Sequence, residues 1–152
     1  MPQNSNGKND MTIGKKTTNN TPPYKILFVD DEEDITMSIK SGLQDTRLFA
    51  VDTYNDPQIA LSDFKPAFYD LYLIDVKMPQ MNGFELYQKL KDMEDDKQDV
   101  KVCFITAYEI YYEILKNEFP GLNIGCFISK PIEIHDLVKR LKQELLSSSE
   151  KS

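Results

Sequence analysis

The sequence predicts an α/β protein: a doubly wound, five-stranded parallel sheet with helices on both faces. Three observations predict it. Short apolar runs recur along the chain and are nearly continuous, as strands buried on both faces are. Segments with apolar residues at helical spacing separate them, so strand and helix alternate five times. Most of the runs also stop at a polar residue, which marks the edge where such sheets bind ligands. Right-handed crossovers make double winding the economical arrangement.

The first run, Lys25-Ile26-Leu27-Phe28-Val29, ends at Asp30-Asp31. Residues 33–45 follow with Ile35, Ile39 and Leu43 on one helical face and acidic residues in the first turn. Residues 48–53 read as a second strand. Asp56 then serves as an N-cap and Pro57 as the first residue of a helix running to Phe64. The third strand, residues 70–75, is apolar from Leu71 to Ile74 and stops at Asp75. Pro79 prevents a simple continuation, and Asn82-Gly83 offers residues tolerant of positive φ before a helix over 84–93.

The acidic stretch 92–99 reads as a solvated connection. A fourth strand covers 100–105 and closes at Thr106-Ala107. Ile110, Tyr111, Ile114 and Leu115 mark the next helix, which stops before Pro120-Gly121. Residues 124–129 form a fifth strand leading into Lys130-Pro131. Ile134, Leu137, Val138, Leu141 and Leu145 give the last helix its apolar stripe.

The 152 residues accommodate one domain, and 40% hydrophobic content supplies its core. Residues 1–23 are polar and poor in large apolar groups, a composition expected to stay disordered. The domain proper is expected over 24–146, with a frayed tail at 147–152. The net charge is −7, divided as +2 on the first 24 residues and −9 on the rest. An acidic body argues against nucleic-acid binding, which depends on neutralising phosphates. Neither a membrane-spanning run nor a signal-peptide core is present in the sequence. Cys103 and Cys126 lack metal-ligand spacing and read as buried reduced thiols, consistent with a reducing, cytoplasmic setting.

In a parallel sheet the carboxyl ends of the strands share one edge. Asp30 and Asp31, Asp75, Thr106 and Lys130 therefore converge there from distant points in the chain. Three crowded carboxylates repel one another, and Mg²⁺ relieves that conflict because it favours carboxylate and phosphate oxygens. A lysine ammonium and a threonine hydroxyl complete a cradle for a phosphoryl group. The chemistry that fits is phosphoryl transfer onto Asp75.

Those residues stand in four motifs, FVDDEED, LIDVKMPQMNG, ITAY and SKPIE, in that order. With them the chain, over about residues 24–146, resembles the receiver domain of two-component response regulators. The resemblance implies a flavodoxin-like sheet of order 2-1-3-4-5. It implies Asp75 as phosphoacceptor, and Asp31 as metal ligand with Asp30 supporting it and the Lys77 backbone carbonyl contributing. Lys130 would pair with the phosphoryl group, Thr106 would move toward it, and Phe127 would be an aromatic switch. The implied donor is a histidine kinase or phosphotransfer protein. The implied output is a partner, or a second copy, bound through the last two helices and strand five. The chain reads as a stand-alone receiver, with no membrane or nucleic-acid partner and no catalysis beyond its own phosphorylation and dephosphorylation.

Each motif has an ordinary alternative: Asp30-Asp31 a helix cap, Asp75 a strand terminus, Thr106 an N-cap, Lys130 a solvated lysine, Phe127 core packing. Their co-occurrence at four strand ends favours the functional reading. Two other classes share the fold: a receiver-like docking module that accepts no phosphate, and an aspartate-nucleophile phosphohydrolase. The second typically needs a carboxylate two residues after the nucleophile, where Lys77 stands. Lys77 and Tyr108, each two residues beyond a site residue, are expected to shield the phosphoaspartate from water. His135 reads as exposed. The connection through 117–125 is somewhat long, which bears on the switching face rather than the acceptor.

Overall fold

The computed structural model describes residues 23–118, 120 and 126–147. The polar tail before Pro23, residues 121–125 of the connection and the tail beyond Ser147 lie outside the described residues.

Five strands, β1 (Tyr24–Val29), β2 (Phe49–Tyr54), β3 (Leu71–Asp75), β4 (Lys101–Thr106) and β5 (Cys126–Ser129), alternate with α1 (Glu33–Asp45), α2 (Pro57–Asp63), α3 (Gly83–Met93), α4 (Ile110–Glu118) and α5 (Ile134–Ser147). All pair in parallel, in the order β2-β1-β3-β4-β5. The predicted doubly wound topology is therefore the observed one.

Strand periodicity divides the core into two layers. Ile26, Phe28, Leu71, Leu73, Ile105 and Ile128 join Ile39 and Leu43 of α1 and Leu137 and Leu141 of α5. On the other face, Leu27, Val29, Tyr72, Ile74, Val102 and Phe104 join Ala60 of α2 and Phe84, Tyr87 and Leu90 of α3. Tyr111 and Ile114 of α4 pack against this second layer. β3 lies at the centre, and every one of its residues is buried.

Local chemistry explains the helix starts. The Asp56 carboxylate accepts from the Gln58 amide at 2.8 Å, with Pro57 in the first turn. Asn82 and Glu85 form a reciprocal capping box, with bonds of 2.9 and 3.0 Å. Here the structure corrects the expectation for Asn82-Gly83. The positive φ of this turn, 74°, falls at Gln80, while Asn82 caps α3 at φ −80°. Gly83 is required for close approach instead: a Cβ there would stand 2.3 Å from the Asp75 carbonyl oxygen.

Two further expectations change. Cys103 and Cys126 are opposite one another across β4 and β5, with Cα atoms 4.5 Å apart, and are joined as a disulfide rather than left as thiols. Their strands were predicted to be neighbours, but the register that makes them partners is a property of the assembled sheet. The acidic stretch after α3 is not merely solvated. Glu94 accepts from the Ala67 amide at 2.5 Å and from the Tyr72 hydroxyl, tying this connection to the loop before β3.

Gly83→Ala is expected to destabilise the protein by about 1–3 kcal/mol, because the contacted atom is backbone and cannot rotate away. Urea denaturation of both forms measures the difference. An unchanged midpoint would contradict the close-packing role.

Candidate functional site

The site is built at the carboxyl edge of the sheet, where backbone bonds continue the ladder past the strand ends. The Asp30 amide donates to the Tyr54 carbonyl at 3.1 Å, the Val76 amide to Ile105 at 3.1 Å, and the Lys130 amide to Thr106 at 2.8 Å. These three bonds fix the points from which the functional side chains leave.

Asp30, Asp31 and Asp75 each present a carboxylate oxygen, and the three oxygens lie within 4.8 Å of one another. Asp30 and Asp75 are buried, and Asp31 is half-buried. Lys130 reaches into this group from the end of β5. Its Nζ stands 2.7 Å from Asp30 Oδ2, 3.2 Å from Glu32 Oε1 and 3.5 Å from Asp75 Oδ1. Thr106 is buried beside them, and its Oγ1 accepts from the Tyr108 amide at 3.2 Å.

Burial, then the neighbouring Asp30 and Asp31 charges, push the Asp75 carboxyl up to about 7, against the opposing pull of Lys130. Asp30 is raised too, first by burial, with its contact to Lys130 and the Glu32 amide bond working the other way. Burial alone would lower the Lys130 ammonium. The surrounding Asp30, Asp75 and Glu32 carboxylates outweigh it and hold the group above its ordinary value.

The donor set suits a hard divalent cation, since three carboxylates gather at one point. A second observation agrees. Among the described residues Lys130 is the one ammonium paired with this group, at 2.7 Å from Asp30 and 3.5 Å from Asp75, so three carboxylates leave negative charge in excess that a divalent cation would offset.

The expected site residues fall in two groups. Asp30, Asp31, Asp75, Thr106 and Lys130 are brought together. Lys77 follows Asp75 on the exposed loop, and its ammonium lies 5.3 Å from the centre of the Tyr108 ring. Phe127 is half-buried on β5, with its ring against Tyr112 at 5.2 Å. His135 is exposed.

Three residues of this region were not anticipated. Glu32 pairs with Lys130 across 98 positions of sequence. Asn55 donates to the Asp30 carbonyl at 2.8 Å and to the Thr36 hydroxyl at 2.9 Å. Thr36 in turn donates to the Glu33 carbonyl at 3.0 Å. Asn55 and Thr36 thus brace the loop that carries the acidic pair. No local pattern signals them, because each is an ordinary polar residue until the loop is folded.

The family model for the response regulator receiver domain matches residues 26–142. The chain belongs to that family. Among curated relatives, response regulator ArlR of Staphylococcus epidermidis is 29% identical over 128 residues, covering 83% of this chain and 54% of the relative. Response regulator ArlR of Staphylococcus aureus is 29% identical over 129 residues, covering 84% of this chain and 55% of the relative. The chain therefore spans about half the length of these relatives.

Solved structures share the fold. A CheY-like receiver domain protein from Methanospirillum hungatei superposes with a TM-score of 0.72 at 24% identity, over 86% of this chain and all of that one. The response regulator TrrA of Thermotoga maritima, solved with Mg²⁺ and BeF, gives 0.65 at 27% identity, over 80% of this chain and 98% of that one. Receiver domains are signalling modules of two-component systems rather than conventional enzymes.

The raised Asp75 carboxyl has a consequence for stability. The folded protein keeps this proton to about pH 7 while the unfolded chain loses it near 3.8, so the contribution is full below that range and is lost as pH rises through about 7. In metal-free buffer Asp75→Asn is expected to stabilise the fold by roughly 2–4 kcal/mol at pH 8 and by less at pH 5. Thermal melts at the two pH values measure it. Equal shifts at both would show that the buried charge is not the cause.

Proposed function

We propose that Asp75 is a phosphoacceptor and that the protein is switched by its phosphorylation. The observation that carries this reading is a buried carboxylate at the sheet edge, with an ammonium at 3.5 Å and two further carboxylates beside it. In the transfer, an Asp75 oxygen attacks phosphorus as the donor's bond to phosphorus breaks. With a phosphohistidine donor, supplied by a histidine kinase or phosphotransfer protein, the bond broken is P–N and the imidazole leaves with the electron pair. Lys130 is placed to balance the charge that the phosphoryl oxygens bring to the edge.

Asp31 and Asp75, with Asp30 supporting and the Lys77 carbonyl contributing, would hold Mg²⁺. When bound, the ion neutralises carboxylate and phosphoryl oxygens together. TrrA, solved with Mg²⁺ and BeF, supports this by likeness. The neighbouring groups of this chain do the rest. Asp30 and Asp31 orient the acceptor edge, and the Thr106 hydroxyl, which accepts from the Tyr108 amide, can donate its own proton to a phosphoryl oxygen. Phosphorylation would thereby shift a two-state equilibrium, with Phe127 and its Tyr112 contact as the part that repacks. The output would be a partner protein or a second copy engaging α4, β5 and α5. The reading places the receiver over residues 24–146 and its action in the cytoplasm.

Incubation with acetyl phosphate and Mg²⁺ is expected to add the mass of one phosphoryl group to the intact protein. Asp75→Asn should show no addition. An unmodified wild type would favour the docking-module reading, and equal addition to the variant would move the acceptor elsewhere.

Lys77 and Tyr108 stack at the rim, on the loops following Asp75 and Thr106. We read them as a cover over the acceptor that slows attack by water. Lys77→Ala and Tyr108→Ala should each speed loss of the phosphoryl group by about twofold to fivefold, the worth of an exposed cation–π contact. The decay of phosphoprotein after donor removal measures this, and an unaltered half-life in both variants rejects the cover.

A further inference from the structure

Lys130 is surrounded by three carboxylates that differ in kind. Asp30 and Asp75 are buried and rooted at strand ends, and Asp30 is further held because its Oδ1 accepts the Glu32 amide at 2.9 Å. Glu32 has a side chain 61% exposed and belongs to the loop before α1. Its own carboxylate reaches back over the ammonium from the solvent side.

The geometry of these contacts is uneven. The Lys130 ammonium stands 2.7 Å from Asp30 Oδ2 in a buried ion pair. It also donates to Glu32 Oε1 at 3.2 Å. With three N–H donors the ammonium serves the buried carboxylates and the exposed one together. A carboxylate with no other protein contact at the surface could point into water, where hydration costs it nothing. Here the Glu32 carboxylate is engaged on the Lys130 ammonium.

We infer that Glu32 is a positioning residue that restrains Lys130 in the unmodified protein and competes with an anionic group on Asp75 for it. The inference rests on the acceptor reading of Asp75 and names a regulator of that site. In the unmodified state Lys130 is shared among three anions. A phosphoryl group at Asp75 brings additional negative oxygens to the same ammonium, which must then turn toward them and give up a present partner, and the exposed Glu32 is the partner free to leave. Breaking the Glu32 bond is part of the cost of that turn, so Glu32 weakens the modified state relative to the unmodified one. Its exposure suits this role. A buried third carboxylate would hold Lys130 too firmly to release it, whereas an exposed one contributes little enough to be displaced.

The test combines two measurements on the intact chain. In the first, beryllium fluoride with Mg²⁺ serves as the phosphoryl mimic. Glu32→Gln is expected to raise its apparent affinity about threefold to fivefold, the scale of one partly exposed ion pair. Glu33→Gln, which removes the same charge from the next position, should leave the affinity unaltered. An equal rise in both variants would mean a general effect of net charge and would overturn the restraint. So would no rise in Glu32→Gln.

The second measurement follows the Lys130 ammonium by ¹⁵N–¹H correlation in metal-free, unmodified protein. Glu32→Gln should shift its resonance and speed its exchange with water, while Glu33→Gln should not. An unmoved resonance overturns the proposal whatever the affinities show. If wild type binds no beryllium fluoride and accepts no phosphoryl group, the acceptor reading fails, and the resonance still decides whether Glu32 restrains Lys130.

Discussion

Two buried carboxylates at one end of a parallel sheet, held together by a lysine from the far end of the chain, are the constraint on which this structure turns. Asp30 and Asp75 follow strands that are buried along nearly their whole length, so neither can retreat to water. Among the described residues Lys130 is the cation paired with them, at 2.7 and 3.5 Å. Its presence requires β5 to be seated against β4, since the Lys130 amide bonds the Thr106 carbonyl. The site is therefore a readout of complete folding. Until the last strand docks, the acidic edge lacks its internal counter-charge.

The opposite end of the sheet is arranged differently. Asp70 accepts the Lys25 amide on its carboxylate at 2.7 Å, donates its own amide to the Lys25 carbonyl at 2.7 Å, and accepts from the Lys101 amide at 3.3 Å. One residue thus closes three strands. Around it Tyr69 donates to Asp52 at 2.7 Å and Tyr72 donates to Glu94, and burial raises both phenols far above their ordinary range. Those polar groups are paired by hydrogen bonds, whereas at the functional edge one ammonium faces several carboxylates. Hydrogen bonds thus tie one end together, while like charge is concentrated at the other. A fold can carry such an edge because its core and its remote end more than offset it.

The fold was legible because its signals are local. Apolar runs, the Asp56-Pro57 start and the stripe on α5 are each readable within a dozen residues. The convergence of Asp30, Asp31, Asp75, Thr106 and Lys130 was also legible, since parallel topology alone puts strand ends on one edge. What could not be read depends on register and on side-chain reach. The Cys103–Cys126 pairing needs the β4–β5 register, and the Glu32–Lys130 pair needs both loops in place. The turn before α3 misled for a related reason. Asn-Gly suggests positive φ, but the capping demand of the helix claimed Asn82, and the close approach of Asp75 claimed Gly83.

The contacts around Thr106 bear on how the proposed acceptor site would act as a switch. Its hydroxyl is buried and accepts from the Tyr108 amide, so a move toward Asp75 would pull on the start of the following segment. Tyr108 packs edge-on against Tyr111, while Tyr112 packs against Phe127. These two ring pairs border the segment that follows Thr106, one on its own side and one reaching β5, and most of their rings lie at or near the surface. Tight interiors resist small continuous shifts and favour discrete rearrangements. In the proposed switch, the half-exposed aromatic residues over α4 and β5 are the part that would adopt a second packing, and the buried carboxylate edge is the part that would select it.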